Sequence, residues 1–186
     1  MRDIYRCARR RARSRQLKQI VMDYYGCKCN HCGIQGLDKL NLDHVNNDAH
    51  HHKNNKRAGS TVYSKVIKAG FPDTYQLLCW NCNIKKLRIH LNTIHSMNSN
   101  AVYNRNFRAM LKKTVFDKYG SNCVQCGESD LDVLCIDHIH NDGRDDRIRF
   151  DCSLAFFKHL DRNTISDRYQ ILCYNCNCTK PPCSPQ

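Results

Sequence analysis

Eight cysteines and two Asp-His dipeptides carry most of the chemistry this chain can offer. The cysteines form four C-x2-C pairs: Cys29/Cys32, Cys79/Cys82, Cys123/Cys126 and Cys173/Cys176. In each half, 46 residues separate one pair from the next. A C-x2-C turn presents two sulfurs to one metal, and two such turns complete a tetrahedron. The spacing therefore assigns Cys29, Cys32, Cys79 and Cys82 to one zinc ion. Cys123, Cys126, Cys173 and Cys176 go to a second. Four thiolates leave no open coordination position, so both ions are expected to be structural.

Asp43-His44 and Asp137-His138 each end a short apolar run, and Asn83 and Asn177 each follow the second cysteine pair. If the zinc ties these segments together, the Asp, His and Asn side chains can converge. A carboxylate oxygen and a carboxamide oxygen suit a hard divalent ion such as magnesium or manganese. The adjacent imidazole can stay metal-free and take a proton from water. That combination points to phosphodiester hydrolysis.

These residues recur because the chain repeats. A shift of 94 aligns Tyr25-Gly26 with Tyr119-Gly120 and Asn47-Asp48 with Asn141-Asp142, without a gap. Over residues 23–86 against 117–180, 22 of 64 positions are identical, where average composition would give about four. Two domains follow, 1–95 and 96–186, joined through the polar stretch at 91–104.

The elements that must position the site can be read coarsely. Leu17, Ile20, Val21 and Tyr24 have helical spacing closed by Gly26, and Leu111, Val115 and Tyr119 repeat it before Gly120. Leu40 and Leu42 suggest a short strand ending at the Asp-His pair. Residues 60–70 read as a helix from Ser60/Thr61 to Gly70, with Pro72 preventing continuation. Tyr75 to Leu78 reads as a second strand, and a helix should run from about Cys82 through Leu87. The fold class is α+β, two small zinc-stabilised domains with flanking helices.

The chain has 186 residues and a formal charge of +13. Two tetrathiolate zinc sites would lower that to roughly +9. Residues 1–95 hold 18 Lys+Arg against 6 Asp+Glu, or +12, and residues 96–186 hold 12 against 11, or +1. The first half is the expected grip on a polyanion, with Arg9, Arg10, Arg11, Arg13 and Arg15 in a basic N-terminal arm. No apolar run approaches 18 residues and no apolar signal region stands at the N-terminus. A membrane span and a disulfide framework are not expected, and a reducing intracellular compartment is: cytoplasm, nucleus or an organelle. Six cysteines, Cys7, Cys27, Cys135, Cys152, Cys178 and Cys183, do not recur at the offset and read as mostly small buried residues.

The strings "YGCKCNHCG", "LNLDHVNNDAHHHK" and "YQLLCWNCNIKK" resemble the zinc-knuckle HNH endonuclease family, with the ββα-metal (His-Me finger) fold, common in phages and mobile elements. The chain looks like two tandem copies. The resemblance implies His44 as general base and Asp43 and Asn83 as ligands of the catalytic metal. It also implies a further histidine at His52, with His50 and His51 as competitors, and a phosphate-facing Lys86. The second copy keeps Asp137, His138, Asn177 and Lys180. It has Asp146-Arg147 in place of His52-Lys53 and lacks the Gly70-Phe71-Pro72 segment. Domain 1 is therefore expected to be the main cutter, with domain 2 a weaker or architectural partner in a single-chain pseudo-dimer on DNA, or on RNA. The competing expectation is a non-catalytic zinc-containing RNA-binding protein of a ribosome or other ribonucleoprotein, derived from such a nuclease. A transcription-factor-like zinc protein lacks a recognition-helix pattern.

Overall fold

The computed structural model describes residues 2–48, 60–94 and 99–181, with backbone alone at 2–4, 92–94 and 99. The chain divides into two compact units, 1–87 and 88–186. Both are mixed α/β, each built on one two-stranded antiparallel sheet.

The first unit starts with helix α1 (Arg2–Tyr24) and continues through strand β1 (Leu40–His44), helix α2 (Ser60–Lys68) and strand β2 (Tyr75–Cys79) into helix α3 (Trp80–Ile94). The basic N-terminal segment is thus not a separate arm. Its arginines lie on the opening turns of α1, exposed to solvent. Arg and Ala are strong helix formers, so the segment extends a helix whose far end is packed. That packed end holds Val21 and Met22, both fully buried. There α1 stops in a Schellman turn: Cys27 N–H donates to Met22 O (2.8 Å) and Gly26 N–H to Asp23 O (3.2 Å). Gly26 sits at φ 93°, a conformation glycine adopts without a Cβ clash.

Strands β1 and β2 pair with Leu40 opposite Cys79 and His44 opposite Tyr75. Met22, Leu40, Leu77, Leu78 and the cysteines Cys29, Cys79 and Cys82 form the core. Helix α2 ends as the sequence requires: Phe71 N–H reaches Val66 O across Gly70. Pro72 then passes its carbonyl to Tyr25 Oη, which donates at 2.8 Å.

The second unit contains α4 (Ser99–Tyr119), β3 (Leu134–His138), α5 (Gly143–Arg149), α6 (Ser153–Arg162), β4 (Tyr169–Cys173) and α7 (Tyr174–Thr179). Its strands pair in the same register, Leu134 opposite Cys173 and His138 opposite Tyr169, which is the 94-residue offset applied to each partner. Helix α4 closes on the same turn, Ser121 N–H to Phe116 O at 2.9 Å. Where the first unit has Pro72, the second has Ser166, whose N–H donates to Tyr119 Oη. The contact survives with its polarity reversed, because proline has no N–H to give. Among the described residues its core is the larger, centred on Phe116, Val115, Val133, Leu134, Leu160 and Ile171.

Three expectations change. The helix expected over Cys82–Leu87 begins at Trp80 and runs to Ile94. Helix α5 was not foreseen, because GRDDRIR has no apolar stripe to betray it. Cys7, Cys152 and Cys178 are exposed rather than buried, lying off the core-facing sides of their segments. Cys183 lies outside the described residues, as do His50, His51, His52 and Lys53. No helix among the described residues is long and apolar enough to cross a membrane.

Candidate metal centres and the Asp-His strand ends

The four cysteines of each set meet. Their sulfurs lie within 4.8 Å of one another in both units. A tetrahedral zinc with ~2.3 Å bonds needs sulfurs about 3.8 Å apart. Cys32 and Cys79 stand at 3.7 Å, and so do Cys126 and Cys173. The donor set and its spacing fit two structural zinc ions.

Local turns build each cage. Cys29 N–H donates to Ile34 O and Gly33 N–H returns to Cys29 O, with Gly33 at φ 75°. Cys123, Glu128 and Gly127 repeat this loop. Asn30 N–H bonds Leu77 O, and Val124 N–H bonds Ile171 O, docking each loop on the second strand. Cys82 N–H and Cys176 N–H each point at the sulfur three residues back, as expected at the first turn of a helix. Burial pushes the Cys82 and Cys176 thiols up. At Cys29 and Cys123 burial acts the same way, but backbone N–H groups outweigh it and bring both down to about 7. His31 Nδ1 lies 3.6 Å from Cys82 Sγ, beside the cage rather than within its four sulfurs.

The cage joins the loop before β1 to the end of β2 and the first turn of α3, and two rungs cross between β1 and α3. Strand alternation sends Asn41 and Asp43 to one side of β1; Asn83 and Lys86 lie one turn apart on α3. Asn83 Nδ2 donates to Asn41 Oδ1. Lys86 Nζ donates to Asp43 Oδ2 and to the His44 carbonyl. Gln76 Nε2 adds a second donor to Asp43 Oδ2 at 2.9 Å. The second unit repeats the ladder: Asn177 Nδ2 to Cys135 Sγ, Lys180 Nζ to Asp137 Oδ2 and His138 O, and Gln170 Nε2 to Asp137 Oδ2.

So Asp43 and Asn83 face the same strand–helix seam, one rung apart. Among the described residues no hydrogen bond joins them, and neither Oδ1 atom accepts one. Two such oxygens are the right kind of donor for a hard cation that keeps most of its water. Lys86 and Lys180, read from the resemblance as phosphate-facing, each donate to the strand-end carboxylate.

His44 leaves the strand on the opposite side. Its Nδ1 meets Asp48 Oδ1 at 2.9 Å, and its ring lies 4.5 Å from that of Tyr75. The repeated Asn explains how Asp48 returns. Asn47 N–H closes a turn on His44 O, and Asn47 takes φ 56°, a left-handed conformation that asparagine tolerates better than most residues. An ionised carboxylate only accepts, so Nδ1 carries the proton and the imidazole lone pair resides on Nε2.

The second unit keeps the turn, with Asn141 at φ 58°, but exchanges the acid. Arg168 stands where the first unit has Thr74, and its Nε and Nη2 both bond Asp142 Oδ2, at 3.2 and 2.7 Å. Hydrogen bonding to Arg168 holds the Asp142 carboxyl below the usual range. With Asp142 engaged, Asp146 of α5 takes His138, at Nε2 rather than Nδ1, 2.8 Å away. Asp146 also receives Tyr169 Oη at 2.5 Å. Burial would raise the Asp146 carboxyl, yet the Tyr169 and His138 hydrogen bonds and the Arg168 charge keep it low. Burial and the Asp146 hydrogen bond push Tyr169 up to about 12. On the other side of the ring, a Cβ at Gly143 would lie 2.9 Å from His138 Nδ1. Phe156 stacks on the ring at 5.9 Å.

Sequence reasoning missed Asp48, Gln76, Gln170, Asp146, Arg168 and Tyr169. The first three and Tyr169 were visible as repeated identities. Asp146 and Arg168 gave no such signal, because they stand where the halves differ. No protein-family model, curated protein or solved structure matches the chain.

Proposed function

We propose that the chain is a metal-dependent endonuclease of the zinc-knuckle HNH type, with each unit a ββα-metal domain and the first unit the cutting one. The observation that carries this reading is the Asp48–His44 hydrogen bond at the end of β1, where His44 follows Asp43 in the strand. Asp48 fixes the tautomer, so His44 accepts a proton from an attacking water through Nε2. Asp43 and Asn83 would hold a magnesium or manganese ion, which would supply charge stabilisation at the phosphate. Lys86 and Gln76 fix the Asp43 carboxylate in place. The arginines on α1 bind the DNA backbone. His138 has its ring polarity reversed and Nδ1 packed beneath Gly143, which supports an architectural second unit.

The test is nicking of supercoiled plasmid in magnesium or manganese. Nicked or linear product should form and disappear with His44→Ala. The exposed arginine-rich turns of α1 favour one competitor, a zinc-stabilised RNA-binding protein that does not cut. Tight RNA binding with no nicking under any divalent ion would select it.

A further inference from the structure

A second charged feature lies away from both strand ends. One face of α4 presents Ala101, Asn104, Arg105, Arg108, Ala109 and Lys112, which repeat at the three- and four-residue spacing of a helical stripe. Together with Arg88 they line a concavity of about 440 Å³. Small residues at 101 and 109 leave the space and cations surround it. That volume is within the ~300–1,000 Å³ range of ligand sites. Two of the cations are already partly committed: Arg88 to Asp132 Oδ1, and Lys112 to the Leu131 carbonyl. Lys112 also sits 4.9 Å over the Phe116 ring. Among the described residues neither Arg105 nor Arg108 forms an ion pair.

The geometry points to a phosphate-binding pocket on the second unit that docks a nucleic-acid backbone, separate from the cutting centre. Guanidinium groups suit it because they grip phosphate oxygens with two parallel donors. Alanines at the floor let a phosphate approach the helix surface. Burial and the neighbouring Arg88 charge lower Lys112 to about 8, and an anion seated among these cations would raise it. The pocket also gives the nearly neutral second unit a local electrostatic task that its net charge conceals. The choice of a nucleic-acid phosphate over a free one rests on the functional reading above; the phosphate chemistry does not.

The experiment uses the full chain without added divalent ion and a labelled 12-base-pair duplex, read by fluorescence anisotropy across salt concentrations. Arg105→Gln with Arg108→Gln should weaken binding about tenfold and reduce the salt slope by about 2. Zinc content and thermal midpoint should stay unchanged. Arg147→Gln with Arg149→Gln, an equal charge loss on α5, should change affinity about threefold or less. Equal losses from the two pairs would show a diffuse field and overturn the pocket. Tripolyphosphate is the second probe. It should compete with the duplex in the unaltered chain and not in the Arg105/Arg108 variant. Tripolyphosphate binding that depends on this pair while duplex affinity does not would make the site one for free polyanions and overturn the docking claim. Plasmid nicking is scored separately. A chain that binds through the pocket but never nicks refutes the nuclease and leaves the pocket standing.

Discussion

The two strand ends share a frame and differ in how they hold a histidine. In both, a tetrathiolate cage pins a hairpin to a helix, and a lysine with a glutamine satisfies the strand-end aspartate. In the first, Asp48 takes Nδ1; in the second, Asp146 takes Nε2. The switch traces to a pair of substitutions. Arg168 draws away the aspartate that matches Asp48, and Asp146 occupies the position matching His52. A scaffold can thus be kept while a different nitrogen of the ring it carries is bound to the carboxylate, and identity of the Asp-His dipeptide alone does not report which.

The largest expected effect tests what the halves share. Cys79→Ser and Cys173→Ser should each remove one zinc ion per chain by elemental analysis and unfold the unit concerned, since such ions contribute on the order of 10 kcal/mol. Loss of both ions from one substitution would break the division into two units. Next comes what separates them. His44→Ala should lower plasmid nicking by about 10²–10⁴-fold and His138→Ala by about threefold at most; equal losses erase the distinction. Asp48→Asn should cost about 10²-fold in nicking rate through the wrong tautomer, whereas Asp142→Asn should leave the rate within twofold.

The smallest effect is on stability. Asp146→Asn should destabilise the second unit by about 1–3 kcal/mol at neutral pH, because it weakens the partner of buried Tyr169 and half-buried His138. The Asp146 pKa is lowered on folding, so its contribution is full above the unfolded value near 3.9 and fades as pH falls through the folded one. Denaturant midpoints of wild type and variant should converge as pH falls through the lowered folded pKa of Asp146.

The sequence reveals the frame far better than it reveals the site. Cysteine spacing locates both cages because coordination tolerates few arrangements. Gly26, Gly70 and Gly120 mark helix ends because little else takes their backbone angles. The ladder between β1 and α3 was half legible: Asp43 and Asn83 face one seam, but Asn41 and Lys86 as their partners depend on strand register and helix phase. His44's return partner depends on one left-handed residue, Asn47, which spacing does not show. Helix α5 and the Arg168–Asp142 pair were not legible, because polar side chains meeting across loops leave no periodic trace. The comparison between His52 and Asp146 rests on alignment alone, since position 52 lies outside the described residues.

Lys86 reaches both the Asp43 carboxylate and the His44 carbonyl. Its ammonium therefore balances the strand end whether or not a divalent ion visits. On the proposed reading the two kinds of metal would then have separate lifetimes in the molecule: the sulfur-bound ion as permanent masonry, the oxygen-bound one as a passing reagent. Dialysis against a chelator too weak to strip thiolates should abolish the proposed nicking and leave the masonry intact.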